Sequence, residues 1–397
     1  MKHPQLIIAP GKEKAILRRH PWIFSGAVKR IDGEPQEGDL VDVVDARGQW
    51  LAVGHYQNES IICKVLSFDT PDIDNTFFRQ RLLSAIDYRR RLGFFNNRQT
   101  NVFRLVHAEG DGLPGLVADW YAGNVVLQAH SVGMHRMFPM FTELLQGLLP
   151  DLVSVFDKSS ATLPGPDNHE DGYLYGKERE EWEVVENGIR MMINPYEGQK
   201  TGFFVDQREN RALVQQLAAG HRVLNCFGYT GGFSLAALKG GAEYVETVDI
   251  SKKAIDLCNR NVELNFGPSV PHQGTVADVL QLLAKEQDAS ANSQFDFIIL
   301  DPPAFAKNHR SLQQGLKGYR SINQRAMEKI APGGLLMTFS CSQAVSKEDF
   351  QTMIFTAAAN ADKQVRIVRQ LPHAADHPVS IYHPEGEYLK GLLLEIE

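Results

Sequence analysis

A cysteine flanked by two serines, Ser340-Cys341-Ser342, directly follows the strand-like run Leu335-Leu336-Met337-Thr338-Phe339. Upstream, Phe297-Ile298-Ile299-Leu300 runs into Asp301-Pro302-Pro303, and Val223-Leu224-Asn225-Cys226 runs into Phe227-Gly228-Tyr229-Thr230-Gly231-Gly232. Each is an apolar run that ends in a polar or glycine-rich turn. Ligands of open α/β sheets bind at the carboxyl ends of strands, so the three turns are expected to share one crevice. A thiolate in that crevice could add to C6 of a pyrimidine and make C5 enamine-like, able to attack a methyl donor. The chemistry expected is methylation of a pyrimidine carbon through Cys341. Asp301, held at a strand end by two prolines, would hydrogen-bond either the base or the donor's amino group. A free cysteine is more often a small buried residue; a strand-end position between two hydroxyls favours the nucleophile. Cys63, Cys226 and Cys258 read as packing residues.

The glycine turn is neither Gly-x-Gly-x-x-Gly nor a P-loop, which disfavours a phosphate reader. Its glycines would let backbone approach a ligand beside a helix N-terminus. Asp249 ends the next strand, where a carboxylate suits a ribose diol, and Ile250 follows it. Asp278 reads equally as an acceptor for an adenine amino group and as the N-cap of a helix over 279–284.

These turns need a parallel sheet to position them. From about residue 200, strands over 223–226, 244–249, 295–300 and 335–339 alternate with helices over 232–239, 252–266, 319–330 and 346–361, the pattern of a doubly wound sheet. Residues 1–75 read as short strands of a small β-barrel. A helix follows over 72–92, with Asp74 as cap and Phe77, Phe78, Leu82, Ile86 and Tyr88 as its apolar stripe. Residues 100–165 read as a compact α+β unit with one helix over 134–149, and 163–181 as an exposed boundary loop. Strands over 182–186 and 189–193 around Asn187-Gly188 read as a hairpin.

The length of 397 residues suits two or three domains. The net charge of −7 does not advertise nucleic-acid binding, so any RNA site must rest on local basic stretches. Two exist. Lys12, Lys14, Arg18, Arg19, Lys29 and Arg30 surround His20-Pro21-Trp22-Ile23-Phe24, and Lys307, Arg310, Lys317, Arg320 and Arg325 lie in an acid-free stretch after Asp301. The four scattered cysteines argue against a zinc site or disulfide framework and fit a reducing cytoplasm. No apolar stretch is long enough to span a bilayer.

Several motifs match one pattern. They are Arg18-Arg19-His20-Pro21-Trp22-Ile23-Phe24-Ser25-Gly26, Glu109-Gly110-Asp111-Gly112-Leu113-Pro114-Gly115-Leu116, Lys200-Thr201-Gly202-Phe203-Phe204-Val205-Asp206-Gln207-Arg208, the glycine turn, Asp301-Pro302-Pro303, Ser340-Cys341-Ser342, and His377-Pro378 with Pro384-Glu385-Gly386-Glu387-Tyr388-Leu389-Lys390-Gly391. In these the chain resembles the bacterial large-subunit ribosomal RNA cytosine-5 methyltransferases of the methyltransferase I type, over essentially its whole length.

The resemblance implies a PUA-like RNA-binding domain over 1–75, a central α+β domain over 76–181, and a hairpin plus Rossmann-like class I methyltransferase domain over 182–397. It implies S-adenosylmethionine as cofactor and 23S ribosomal RNA as partner, with a second copy of the chain left open and no metal. Carried over by position, Cys341 and Asp301 are catalytic. Phe227, Gly228, Tyr229, Thr230, Gly231, Gly232, Asp249, Ile250, Asp278, Asp301 and Pro302 would hold the cofactor, joined by Thr201, Gln207 and Arg208. Arg18, Arg19, His20, Lys307, Arg310, Lys317 and Arg320 would hold RNA. Many cytosine-5 RNA enzymes place a cysteine after the proline of their Asp-x-Pro motif; Ala304 stands there, so the usual helper in product release is missing and no proton-abstracting base is assigned. A base-nitrogen methyltransferase and a non-catalytic RNA-binding assembly factor stay open as alternatives.

Overall fold

The computed structural model describes residues 3–163, 169–284, 294–306 and 308–397. The chain divides into two compact units that are not consecutive in sequence: Met1–Val185, Ile193–Val205 and Ala375–Gly386 form the first, and Glu186–Met192, Asp206–Ala374 and Glu387–Glu397 the second. This differs from the three consecutive domains expected. The reason lies in the hairpin Trp182–Glu186/Ile189–Ile193, whose tip belongs to the second unit, and in the returning segment Ala375–Gly386. At that tip Asn187 (φ 50°) and Gly188 (φ 72°) both take the left-handed backbone that a two-residue hairpin turn requires.

The first unit holds two sheets, each on its own apolar core. A six-stranded sheet built from the strands between Gln5 and Ser67 encloses Leu6, Ile8, Ile23, Val41, Val43, Ala52 and Val65. The second sheet has five strands in the order Gly172–Tyr175, Ser154–Asp157, Asn124–Ala129, Leu116–Tyr121, Val102–His107. Against its core pack the helices Asn75–Arg91 and Phe138–Leu148. The Asp74 side chain caps the first of these, accepting from the Phe77 N–H at 2.8 Å. The single helix expected over 134–149 is two, Val132–Arg136 and Phe138–Leu148. The supposed boundary loop contributes a strand, Gly172–Tyr175, because it pairs with Ser154–Asp157; no short-range pattern announces that partner.

Two of the sequence motifs meet in this unit. A methyl group at Gly110 would fall 1.8 Å from the Pro378 carbonyl oxygen, so only glycine allows the Ala375–Gly386 segment to lie there. Arg89, fully buried on the apolar face of its helix, donates to Asp111 Oδ1 at 2.6 Å, to the Arg104 carbonyl at 2.8 Å and to the Asp376 carbonyl at 2.5 Å.

The second unit is the expected doubly wound sheet. Its strands are β1 (Arg222–Cys226), β2 (Tyr244–Asp249), β3 (His272–Val276), β4 (Phe297–Leu300), β5 (Gly334–Ser340), β6 (Val365–Leu371) and β7 (Lys390–Ile396). They lie in the order β3-β2-β1-β4-β5-β7-β6, with β1 to β5 parallel and β7 antiparallel to both neighbours. The helices are α1 (Arg208–Leu217), α2 (Gly232–Lys239), α3 (Lys252–Phe266), α4 (Val279–Ala284), α5 (Leu312–Lys329) and α6 (Lys347–Asn360). Strand order reverses between β1 and β4, the switch point outside which doubly wound sheets bind ligands. The glycine turn follows β1 and Asp301 follows β4.

Candidate active site

The turn after β1 is unusual backbone. Phe227 (φ 58°) and Tyr229 (φ 47°) are left-handed without being glycine, and Gly231 (φ 87°) caps α2 with no side chain. Such residues persist only where their surroundings hold them. A Cβ at Gly228 would meet Thr247 Cγ2 at 2.3 Å, and one at Gly231 would meet Cys258 Sγ at 2.4 Å. Beneath the turn a buried polar chain links β1, α2 and the neighbouring strands: Asn225 Nδ2 donates to Ser234 Oγ (2.8 Å), which meets Thr247 Oγ1 (2.6 Å), which meets His272 Nε2 (2.8 Å). Burial pushes His272 down to about 4, so it serves there as a neutral imidazole.

The turn also fixes the carboxylate at the end of β2. The Tyr229 N–H donates to Asp249 Oδ2 at 2.9 Å and the Ser251 N–H to Oδ1 at 2.8 Å. Ile250, next to it, is 73% exposed. An oriented carboxylate beside an uncovered apolar face is what the hydroxyls and base of a nucleoside require. Asp278 turns out to cap α4, its Oδ1 accepting from the Leu280 N–H at 2.7 Å and the Gln281 N–H at 3.3 Å; helix capping is thus the role its geometry displays.

On the other side of the switch point, Cys341 Sγ lies 3.9 Å from the Pro302 carbonyl oxygen, so the strand-end cysteine and the Asp301-Pro302-Pro303 turn do meet. Ser342 stitches them together. Its Oγ accepts from the Ala306 N–H at 3.2 Å and pairs with the Tyr319 hydroxyl of α5 at 2.8 Å. The other three cysteines are buried, and burial pushes their thiols up, Cys258 to about 12. Cys341 alone of the four is partly exposed. Cysteine reactivity requires access and thiolate character together.

Sequence reasoning missed Lys390. In the antiparallel register of β5 and β7 it stands opposite Ser340, which brings its charge to Cys341. Its ammonium donates to the carbonyls of Ser342 (2.6 Å) and Tyr388 (2.7 Å). Burial pushes it down to about 8, opposed by its attraction to Cys341. The signal in the sequence was a lysine inside the apolar run of β7, a place where a charge needs a reason. Lys390→Gln is expected to move the pH at which iodoacetamide alkylates Cys341 upward by about one unit, equivalent to about 1.4 kcal/mol, while Lys390→Arg retains it. The difference between wild type and Lys390→Gln should narrow above about pH 8, where Lys390 itself loses its proton. Equal alkylation profiles would show that the two charges do not interact.

The remaining candidates fall in several places. Gln207 is buried in the turn entering α1, its Oε1 accepting from Asn210 Nδ2 at 2.6 Å, and Arg208 opens α1, itself buried. Thr201 belongs to the first unit. Its hydroxyl donates to Asp119 Oδ2 at 2.5 Å and meets the Tyr121 hydroxyl at 2.8 Å, beside the buried Arg104–Asp119 pair. A buried carboxylate thus claims the hydroxyl of this residue, from which a cofactor contact was expected.

Of the expected RNA contacts, Arg19 forms a two-pronged pair with Asp69 (2.6 and 3.1 Å), and His20 faces Glu385 at 3.4 Å. The stretch, which holds only Glu13 as an acid in sequence, therefore meets further carboxylates in space. Arg18 is exposed. Lys317 and Arg320 sit one turn apart on α5 and Arg310 just before it; no carboxylate pairs with these three among the described residues. Lys307 lies outside the described residues.

Residues 165–383 match the family model of S-adenosylmethionine-dependent methyltransferases, and residues 6–68 match that of PUA-like domains. The chain is similar to "Ribosomal RNA large subunit methyltransferase I" of Klebsiella pneumoniae (strain 342), 39% identical over 99% of this chain and 98% of that one. It is likewise 39% identical to the protein of that name from Aeromonas salmonicida (strain A449), over 98% of each chain. Among solved structures, a protein described as a SAM-dependent methyltransferase from Streptococcus mutans superposes over 100% of both chains with a TM-score of 0.84 at 22% identity. SMU.776, described as a methyltransferase complexed with SAH, does so with a TM-score of 0.85 at 22% identity. At that identity the likeness speaks for the fold.

Proposed function

We propose, proceeding from the fact that this chain belongs to the ribosomal RNA large subunit methyltransferase I family of S-adenosylmethionine-dependent methyltransferases, that it methylates C5 of a cytosine in 23S ribosomal RNA through a covalent adduct on Cys341. The observation that carries this reading is the approach of the one accessible thiol to the Asp301-Pro302-Pro303 turn.

The residues at the β1 and β2 ends fit the cofactor. The uncapped N-terminus of α2, the oriented Asp249 carboxylate and the exposed Ile250 offer, in turn, backbone N–H groups, a diol acceptor and an apolar face for adenine. Phe227, Gly228, Tyr229, Thr230, Gly231 and Gly232 would line the same end, with Asp301 and Pro302 across the switch point. When bound, S-adenosylmethionine supplies an electrophilic methyl group. Asp249→Ala is expected to weaken binding of S-adenosylhomocysteine by about 2–4 kcal/mol, the cost of losing charge-assisted hydrogen bonds; unchanged affinity by titration calorimetry would remove Asp249 from the site.

The chain's own residues then act on the base. The target cytosine leaves its stack to reach a strand-end thiol. Lys390, held by two carbonyls, favours the Cys341 thiolate. The thiolate adds to C6 while Asp301 supports a proton on N3, which places electron density on C5. Once C5 carries the methyl group its proton is lost to a base, and the Cys341 sulfur departs from C6, restoring the ring. Arg310, Lys317 and Arg320, on the segment that follows Asp301, would hold phosphates of the RNA, with Arg18 doing so on the first unit.

This reaction is one of the cytoplasm, where ribosomal RNA is processed; among the described residues no helix is long and apolar enough to cross a membrane. Nucleoside mass analysis of large-subunit RNA incubated with the protein and S-adenosylmethionine tests the reading. 5-Methylcytidine is expected, and an N-methylated purine or no methylation overturns it.

A further inference from the structure

Three side chains of the first unit turn their polar tips toward one point. His135 comes from the short helix Val132–Arg136, Asp157 ends the strand Ser154–Asp157, and His169 precedes the strand Gly172–Tyr175. His135 Nε2 and His169 Nε2 each lie 2.7 Å from Asp157 Oδ2, and the two ring nitrogens lie 3.2 Å from one another. None of the three belongs to the glycine turn, the Asp-Pro-Pro turn or the cysteine strand.

Protons alone do not satisfy this triangle. Each Nε2 carries at most one hydrogen, along one direction. If both imidazoles donate to Asp157, two N–H groups of like polarity crowd at 3.2 Å. If one imidazole donates to the other, the acceptor's lone pair is taken by that contact and it has no hydrogen for the carboxylate 2.7 Å away. A cation between the three atoms satisfies all contacts together. Ligand atoms that each lie about 2.0–2.2 Å from a common ion are separated from one another by roughly the distances seen here.

The surroundings suit an ion. The Asp157 side chain is 3% exposed, and its second oxygen, Oδ1, accepts from Ser159 Oγ at 2.5 Å, an outer contact of the kind that orients ligating carboxylates. The His135 ring is backed by Phe138, with centroids 5.0 Å apart. The two imidazoles are about a quarter exposed, 25% and 27%, which leaves an open side for water as a further ligand.

We propose that His135, Asp157 and His169 form a binding site for a divalent transition-metal ion. Two imidazoles and one carboxylate select zinc, iron, cobalt or manganese over magnesium and calcium, which prefer oxygen alone. The ion ties helix, strand and the segment entering the Gly172–Tyr175 strand into one piece, a structural clip for the five-stranded sheet. The sequence expectation of no metal site rested on cysteine spacing; His135, Asp157 and His169 are too far apart in the chain for a ligand motif to show.

The test uses the full chain, stripped with a chelator and dialysed. Titration with Co²⁺ alone is expected to give one equivalent of bound ion with visible ligand-field absorption, displaced by Zn²⁺, and Zn²⁺ should raise the unfolding temperature by mass action. The His135→Gln/His169→Gln double variant, altered only at partly exposed positions, should keep its circular dichroism spectrum and lose roughly 100-fold or more in metal affinity, since loss of outer-shell partners alone costs 10–100-fold. If the double variant is misfolded, His169→Gln alone is used, with the same expectation. Wild-type protein that takes up no stoichiometric Co²⁺ or Zn²⁺, or a folded variant that binds as tightly as wild type, overturns the proposal.

Discussion

Cys341→Ala is expected to lose methyl transfer by at least about a thousandfold, because removing a covalent nucleophile leaves only binding and positioning. The protein should still bind S-adenosylhomocysteine, as the cofactor end is built from β1 and β2 and Cys341 follows β5. An RNA carrying 5-fluorocytidine at the target should trap the wild-type protein covalently, since fluorine cannot leave C5 as a proton does. The trapped species should require S-adenosylmethionine, map to Cys341 by peptide mass analysis and be absent from Cys341→Ala. Near-full activity of Cys341→Ala would sink covalent catalysis and favour attack by a base nitrogen. An adduct on Cys226 or Cys258 would contradict their burial.

The largest effect on stability is expected at Arg89. Its guanidinium is fully buried and supplies four hydrogen bonds, one of them to the Asp111 carboxylate, whose Oδ2 also accepts from the His107 N–H at 2.6 Å. Arg89→Met removes the cation and keeps most of the volume. It leaves a carboxylate and two carbonyls buried without their donor, a loss of about 3–5 kcal/mol for the first unit. Exposed pairs such as Arg19–Asp69 should cost far less when broken, because solvent screens them. Denaturant unfolding of Arg89→Met beside Arg19→Met checks the contrast; equal small losses would mean that the buried guanidinium is not holding the unit together.

Arg89 also marks where the sequence can and cannot be read. The stripe Phe78, Leu82, Ile86 announces a helix, and Asp74 announces its start; both follow from local chemistry and both are present. Arg89 continues that stripe at helical spacing, yet a charged residue there reads as solvated unless Asp111 and Asp376 are known to lie nearby. The strands β1, β2, β4 and β5 and the Asn187-Gly188 turn were legible for the same local reason. Strands β6 and β7 were not. β6 is largely exposed, and β7 earns its place only by pairing between β5 and β6.

The candidate site divides along the same line. The turns at strand ends are contiguous in sequence and could be named from it. Lys390 reaches Cys341 only through the antiparallel register Ser340↔Lys390, a fact of tertiary pairing. Thr201 was named from the motif its neighbours in sequence carry, and the partner of its hydroxyl, Asp119, lies far off in the chain. The basic run around Arg19, with Glu13 its one acid in sequence, looked more purely cationic than it is for the converse reason, since Asp69 and Glu385 arrive by folding.

The interleaving of the two units bears on how the chain is made. Ribosomal synthesis runs from the N-terminus, and the backbone passes between the units five times along its length. The first unit therefore cannot finish when its strands have emerged: the Asp376 carbonyl that receives Arg89, and Pro378 against Gly110, arrive only after nearly all of the second unit has been translated. Until then the nascent first unit carries a buried arginine with one donor unanswered. The two units thus reach their native form almost together, late in translation, and a fragment ending before residue 375 is an unfinished product of both.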